Sequence, residues 1–193
     1  MLIEIIKNWH PVAKAAFMVL FPILISIAAI YLMKFISGRE PFPTIEDPDA
    51  IPLNLRWRGY SEKAATDYWT WLQNNDALIA ERRFLIADLF FPFFYAGTML
   101  ISVLVAWKSM EGSFDPKWVV ICIAILVLAD WTENLVHLNQ LGHFVRNEPL
   151  HAVWIQVASS ATIIKSGFLV LSAIQIGGLA VCVARQTYVT QGG

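Results

Sequence analysis

Four long apolar stretches constrain this chain more than any other feature of its sequence. They cover about residues 12–35, 84–107, 118–138 and 157–184. Each has about the 17–25 residues that an α-helix needs to cross a bilayer. Because backbone groups in lipid must be satisfied within their own segment, each stretch is predicted to be a helix. The sequence therefore predicts an all-α, polytopic integral membrane protein with a bundle of four transmembrane helices.

The composition is too apolar for a soluble domain. Of the 193 residues, 57% are apolar and 15% are charged, whereas soluble domains have about 45–50% apolar and about 25% charged residues. The 14 basic and 15 acidic residues give a net charge of −1, which provides no cationic field for a polyanion. We therefore exclude nucleic acid and expect one membrane domain, residues 1–193, whose partners are membrane lipids or other membrane protein subunits.

The loop between the first two stretches, residues 37–83, is the largest segment expected outside the membrane. Residues 40–49 are rich in Pro and acidic side chains and are predicted to be irregular. Ser61 is a favourable N-cap for the segment that follows it, in which apolar and aromatic residues recur near helical spacing. We predict an interfacial, amphipathic helix over about residues 61–83; the alternative is a cap helix packed on the bundle.

The orientation is encoded by basic residues near the ends of the spans. An even number of spans places both termini on one side and the long first loop on the other. Lys and Arg outside the apolar cores are more numerous on the side of the long loop. By the positive-inside rule we expect that loop to be cytoplasmic, in a plasma (inner) membrane.

Four ionisable side chains fall inside the predicted spans, and they lie at one depth. They are Asp88, Asp130, Glu133 and Lys165. With a rise of about 1.5 Å per residue, all four are expected within roughly 6–12 Å of the interface on the long-loop side. An ionisable group in the middle of a bilayer costs about 2.5–3.5 kcal/mol, so such groups usually turn inward, pair or serve a function.

Helical spacing brings further polar residues onto the same faces. Asp130, Glu133 or Asn134, and His137 recur at the intervals of one helix face, as do Asp88 and Tyr95 on the second span. The fourth span adds three residues in the same manner. We therefore predict a ligand-binding pocket, acidic and open toward the long loop, formed by Asp88, Tyr95, Asp130, Glu133, Asn134, His137, Ser159, Thr162 and Lys165.

The sequence favours a non-enzymatic role for this pocket. We expect a ligand-binding protein, or an accessory subunit of a membrane complex, that binds a lipid head group, a cationic small molecule or a side chain of a partner. A purely structural network, in which Lys165 pairs with the acids and holds the helices together, is the simpler alternative. Three carboxylates against one lysine exceed what such a network needs.

Two other classes of function stay open. One is an intramembrane lipid-modifying enzyme, a metal-dependent hydrolase or a transferase, with Asp130, Glu133 and Lys165 as catalytic residues. Asp130, Glu133 and His137 would then be the ligands of any metal. The other is proton or cation transfer. Haem is not expected, because His10 lies at the opposite membrane face from His137 and the spans offer no evident pair of axial ligands.

Overall fold

The computed structural model describes residues 5–6, 8–39, 50–111 and 113–190, and the elements within them are all helical. The all-α prediction is confirmed. The acidic stretch of residues 40–49 lies outside the described residues. The helices are α1 (Pro11–Ser37), α2 (Glu62–Asn74), α3 (Leu78–Asp88), α4 (Phe91–Ser109), α5 (Lys117–Val145) and α6 (Ala152–Thr190), with a 3₁₀ turn at Leu53–Leu55.

Among the described residues, four helical segments are long and apolar enough to cross a membrane, as the sequence predicts. They are Pro11–Ser37, Leu78–Ser109, Lys117–Val145 and Ala152–Arg185. Helix α1 packs on α4 and α6, and α5 packs on α6 along most of its length. Large apolar side chains cover the outside of this bundle: Phe35 is 87% exposed and Ile174 is 66% exposed. A surface of this kind is unfavourable in water.

The second segment, Leu78–Ser109, covers the span predicted over residues 84–107, and its helix is interrupted between Asp88 and Phe91. Helix α3 begins at Leu78 and ends at Asp88, and α4 begins at Phe91. Pro92 explains the break, because it has no N–H for the carbonyl of Asp88 and its ring collides with that carbonyl. The break places the Asp88 side chain at the end of a short, separate helix.

The helix predicted over about residues 61–83 is also divided. Helix α2 starts as predicted, with the Ser61 hydroxyl accepting a hydrogen bond from the backbone N–H of Ala64 (3.2 Å). It ends at Asn74, and Asp76 in the following turn has a positive φ of 54°. Asp tolerates this left-handed conformation better than most residues, so the turn is stable where a helix would have continued.

Helices α5 and α6 extend beyond the predicted spans of residues 118–138 and 157–184. Helix α5 continues to Val145, and α6 begins at Ala152. Gln140 lies in the extension of α5, is fully buried, and accepts a hydrogen bond from the backbone N–H of His151 (2.8 Å). Polar residues after the predicted end of the third span therefore continue α5 and help to hold it against the start of α6.

Helix α2 packs with its aromatic face across the ends of α3, α5 and α6. Tyr68 and Trp69 are 1% and 0% exposed. They belong to one apolar cluster with Leu85, Leu141 and Ile155, one residue from each of the three helices. This packing is the arrangement expected of a cap helix.

The buried indole of Trp69 tests this packing. We expect Trp69→Ala to lower the free energy of unfolding by about 3–5 kcal/mol, because the large side chain leaves a cavity that the surrounding helices fill only partly. Trp118 is 64% exposed, and Trp118→Ala is the matched control, with a change of about 0.5 kcal/mol or less. Thermal unfolding of both variants in the same detergent makes the comparison. Equal losses would show that α2 does not dock as described.

Candidate functional site

Lys165 is the centre of a buried ion network between α5 and α6. Its ammonium Nζ lies 3.2 Å from Asp130 Oδ1 and forms a second, close ion pair with Glu133 Oε2. The side chains of Asp130 and Glu133 are 4% and 0% exposed, and that of Lys165 is 15% exposed. Three of the four charges predicted to meet inside the bundle therefore do so.

The remaining oxygens of the two paired carboxylates are also hydrogen-bonded. Glu133 Oε1 accepts from the Thr162 hydroxyl (2.7 Å). Asp130 Oδ2 accepts from the Tyr95 hydroxyl (2.9 Å), and its Oδ1 lies 3.4 Å from the Asn134 amide nitrogen. Buried charges are tolerated only with such partners. Five of the predicted pocket residues thus form one connected network with Lys165.

Asp88 is the exception in this network. It is 4% exposed and lies beside Asp130, Asn134 and Lys165. The Lys165 ammonium pairs with Asp130 and Glu133, and Asp88 makes no ion pair within the described part of the chain. Its side chain instead lines a cavity. Among the described residues, Asp88 is therefore the one carboxylate of the three without an ion pair, and its hydrogen-bond partner is the Asn134 side chain.

The cavity has a volume of about 430 Å³ and is lined by one charged cluster and by mostly apolar side chains. The charged cluster contributes Asp88, Tyr95, Asp130 and Lys165 to the lining. The rest of its lining comes from every long helix of the bundle and from the loop before α2: Ser26, Ile30, Met33, Asn54, Leu55, Trp57, Phe84, Phe91, Met99, Leu126, Ser166 and Leu169. A lining of this kind is complementary to an amphiphile, which has a charged group joined to an apolar body.

Residues 50–60, called the strap below, close one side of the site. The Tyr60 hydroxyl makes a short hydrogen bond with His137 Nε2, and the Tyr60 backbone N–H donates to Ser159 Oγ (2.8 Å). Burial and the nearby Glu133 carboxylate raise the pKa of Tyr60, so the phenol stays neutral. His137 and Ser159 therefore hold the strap and do not line the cavity.

Gly59 allows the strap to approach α6 this closely. It has a φ of 85°, and a Cβ at this position would lie 2.6 Å from Ser159 Oγ. Both the backbone conformation and the space exclude a side chain. The position is therefore restricted to glycine by the same contact that brings Tyr60 to Ser159.

A second buried ion pair lies next to the site and involves residues that the sequence did not single out. Arg39 Nη1 lies 2.8 Å from Glu81 Oε2, which also accepts from the Tyr68 hydroxyl (3.0 Å). The Arg39 guanidinium lies over the ring of Phe84, 4.1 Å from its centre. Burial and the Glu81 carboxylate raise the pKa of Tyr68. This group ties the end of α1 to α2 and α3.

The predicted pocket residues therefore fall into three sets. Asp88, Tyr95, Asp130 and Lys165 line the cavity, while Glu133, Asn134 and Thr162 support it from behind. His137 and Ser159 anchor the strap. The lining residues Asn54, Trp57 and Met33 were missed, because a loop and an apolar helix face give no polar periodicity that would indicate a site.

The metal ligands considered from the sequence do not form a metal site. Among the described residues, no three His, Cys, Asp or Glu side chains are grouped so that they could hold one ion. Glu133 binds Lys165 and Thr162, and His137 Nε2 binds Tyr60. Asp130 and Glu133 therefore share the Lys165 ammonium, whereas His137 binds Tyr60.

No family model, curated protein or solved structure matches this chain. Its site is therefore interpreted from its own chemistry. Two carboxylates pair with the Lys165 ammonium and Asp88 lies beside them, which gives the cluster a formal excess of negative charge. The cluster borders a mostly apolar cavity, where low polarity strengthens any interaction with a cation.

Removing the ammonium tests the network. We expect Lys165→Met to lower the free energy of unfolding by about 3–5 kcal/mol, because Asp130 and Glu133 are then left buried without a cation. The same substitution in an Asp130→Asn, Glu133→Gln background should cost much less, since no unpaired charge remains. Thermal unfolding of the four proteins in one detergent measures the coupling. Additive effects would contradict the ion network.

Proposed function

We propose that this chain is an integral membrane protein whose four apolar helical segments cross the bilayer. The exposed apolar surface of the bundle and the inward direction of its buried charges support this. Helix α2 then caps the bundle at one membrane face, with its aromatic side chains turned into the protein. The strap lies on the same face, which the distribution of basic residues makes the cytoplasmic one.

We further propose that the protein binds, without chemical conversion, a single-chain amphiphile with a cationic head. The head would lie against Asp88, and the apolar tail along Met33, Leu126 and Leu169. The observation that carries this proposal is the buried Asp88 carboxyl, which faces the cavity while the Lys165 ammonium pairs with its two neighbours.

Electrostatics favours a cation over a neutral or anionic head. At about 4 Å and an effective dielectric constant of about 20, two unit charges attract by roughly 4 kcal/mol. An anion would meet the formal negative charge of the cluster, and a neutral head would leave Asp88 with the Asn134 side chain as its partner and no cation of its own.

The size of the cavity favours a small ligand. Its volume of about 430 Å³ is toward the lower end of the roughly 300–1,000 Å³ of small-molecule sites. A basic side chain of a partner subunit would satisfy the same carboxyl, which is how an accessory subunit would use this site. The apolar walls favour a ligand with its own tail.

The contacts provide no support for the lipid-modifying enzyme. A catalytic lysine or carboxylate must reach the substrate with its reactive atoms free. Lys165, Asp130 and Glu133 are instead bound to one another and to Tyr95 and Thr162. We therefore propose a binding function and no catalytic one.

Reporter fusions test the orientation. With the long loop in the cytoplasm, the C-terminus lies on the other side of the membrane. Alkaline phosphatase fused there should be active, because it works outside the cytoplasm. Green fluorescent protein fused there should be dark, because it fluoresces only inside the cytoplasm. A truncated fusion after Asp76, in the exposed turn between α2 and α3, should give the reverse pattern. A fluorescent C-terminal fusion would contradict the proposed orientation.

Substitution of Asp88 tests the binding site. We expect dodecylamine to raise the Tm of the purified protein in detergent, because a ligand that binds the folded state stabilises it. Asp88→Asn keeps the size of the side chain and removes its charge, so it should weaken binding at least tenfold, or about 1.4 kcal/mol. Asp76→Asn changes an exposed acid outside the cavity and should bind as the parent does.

Dodecanol is the matched ligand control. It has the same tail and no charge, so it should stabilise the protein much less than dodecylamine does. An equal effect of the two ligands, or an Asp88→Asn protein that still responds fully to the amine, would refute the cationic site. Loss of the response in Asp76→Asn as well would indicate unspecific attraction to acidic surface groups.

A further inference from the structure

A second amphipathic cavity lies between the start of α3 and the end of α5, and we propose that it binds an anionic phospholipid. Its volume is about 570 Å³. It shares no lining residue with the acidic cavity. It is called the outer groove below and is lined by Leu78, Ile79, Arg82, Leu138, Asn139, Leu141, Gly142, Val145 and Arg146. The inference rests on the proposed insertion into a membrane.

Arg146 contributes a donor to the outer groove although it is already in an ion pair. Its Nε and Nη2 donate to the two oxygens of Glu148, at 2.8 and 2.7 Å. The third nitrogen, Nη1, is left over and lies above Gly142, where a Cβ would be 3.3 Å away. A bare glycine thus leaves the space in which the guanidinium lies against the groove.

Arg82 supplies the charge of the outer groove. It is exposed, and no carboxylate pairs with it within the described residues. Asn139 also lines the groove, and its Oδ1 accepts a hydrogen bond from Gln140 Nε2 (3.0 Å). Its own amide N–H groups can therefore donate to a ligand. Guanidinium and amide donors at one end of a groove are suited to phosphate oxygens.

Glu148 does not cancel this positive charge. Its carboxylate binds both Arg146 and His143, whose Nδ1 is 2.9 Å from Oε2. The hydrogen bonds from Arg146 lower the pKa of Glu148, so the pair stays ionised and balanced. The net charge of the groove is then that of Arg82.

The apolar walls of the outer groove identify the source of the phosphate. Ile79 and Val145 are 69% and 58% exposed, and they line the groove together with Leu138. A free phosphate ion gains nothing from apolar walls, whereas the acyl chain of a phospholipid can pack against them. The groove also lies on the face proposed to be cytoplasmic, where anionic lipids and basic pockets between helices commonly meet.

The experiment compares two neighbouring arginines. The purified full chain in detergent is supplemented with phosphatidylglycerol or with phosphatidylcholine of the same acyl chains, and its Tm is measured. We expect phosphatidylglycerol to raise the Tm by several degrees more than phosphatidylcholine does. Arg82→Gln should lose most of this difference. Arg83→Gln should keep it, because Arg83 is equally exposed but does not line the groove.

Three results would overturn the inference. One is an equal effect of the two lipids on the parent protein, and another is an equal loss in Arg82→Gln and Arg83→Gln, which would mean unspecific surface charge. The third is full stabilisation by inorganic phosphate alone, which would make the ligand a free anion. Alkaline extraction of cell membranes separates this from failure of the proposed function: a chain that stays in the pellet but lacks lipid selectivity refutes the groove alone.

Discussion

The ammonium of Lys165, held between Asp130 and Glu133, is the interaction on which the rest of this structure depends. Two carboxylates and an ammonium could not remain buried separately, because each loses its hydration. Their contact fixes how α5 lies against α6, and the hydroxyls of Tyr95 and Thr162 complete it. One ammonium cannot balance three acids. Asp88 therefore has no ion pair in this network, and its side chain lines the cavity.

The segment before α2 is organised by polar contacts that reach across the sequence. Tyr60 bonds His137 and Ser159, while Arg39 pairs with Glu81 beneath α2. The strap and the cap helix are therefore held over the end of the bundle by specific hydrogen bonds as well as by apolar packing. These contacts hold the strap in place where it forms one side of the cavity.

The ion network of Asp130, Glu133 and Lys165, with Asp88 beside it, could be predicted because depth and face follow directly from the rise and period of a helix. No such rule places Asn54 or Trp57, which reach the cavity from an irregular loop. The Arg39–Glu81 pair joins distant parts of the chain, so no local pattern indicates it. His137 and Ser159 were predicted to line the pocket, because helical spacing places them near it. They bind Tyr60 instead, and no local pattern indicates a contact with that distant loop residue.

The break before Pro92 has a mechanical consequence. Helix α3 is a separate rod of 11 residues, and it carries Glu81 near one end and Asp88 at the other. Its Glu81 carboxylate binds Arg39 and Tyr68, and its Asp88 carboxyl faces the cavity. These two residues are about two helical turns apart on one short helix. A substitution that shifts this helix therefore changes the cap contact and the cavity together.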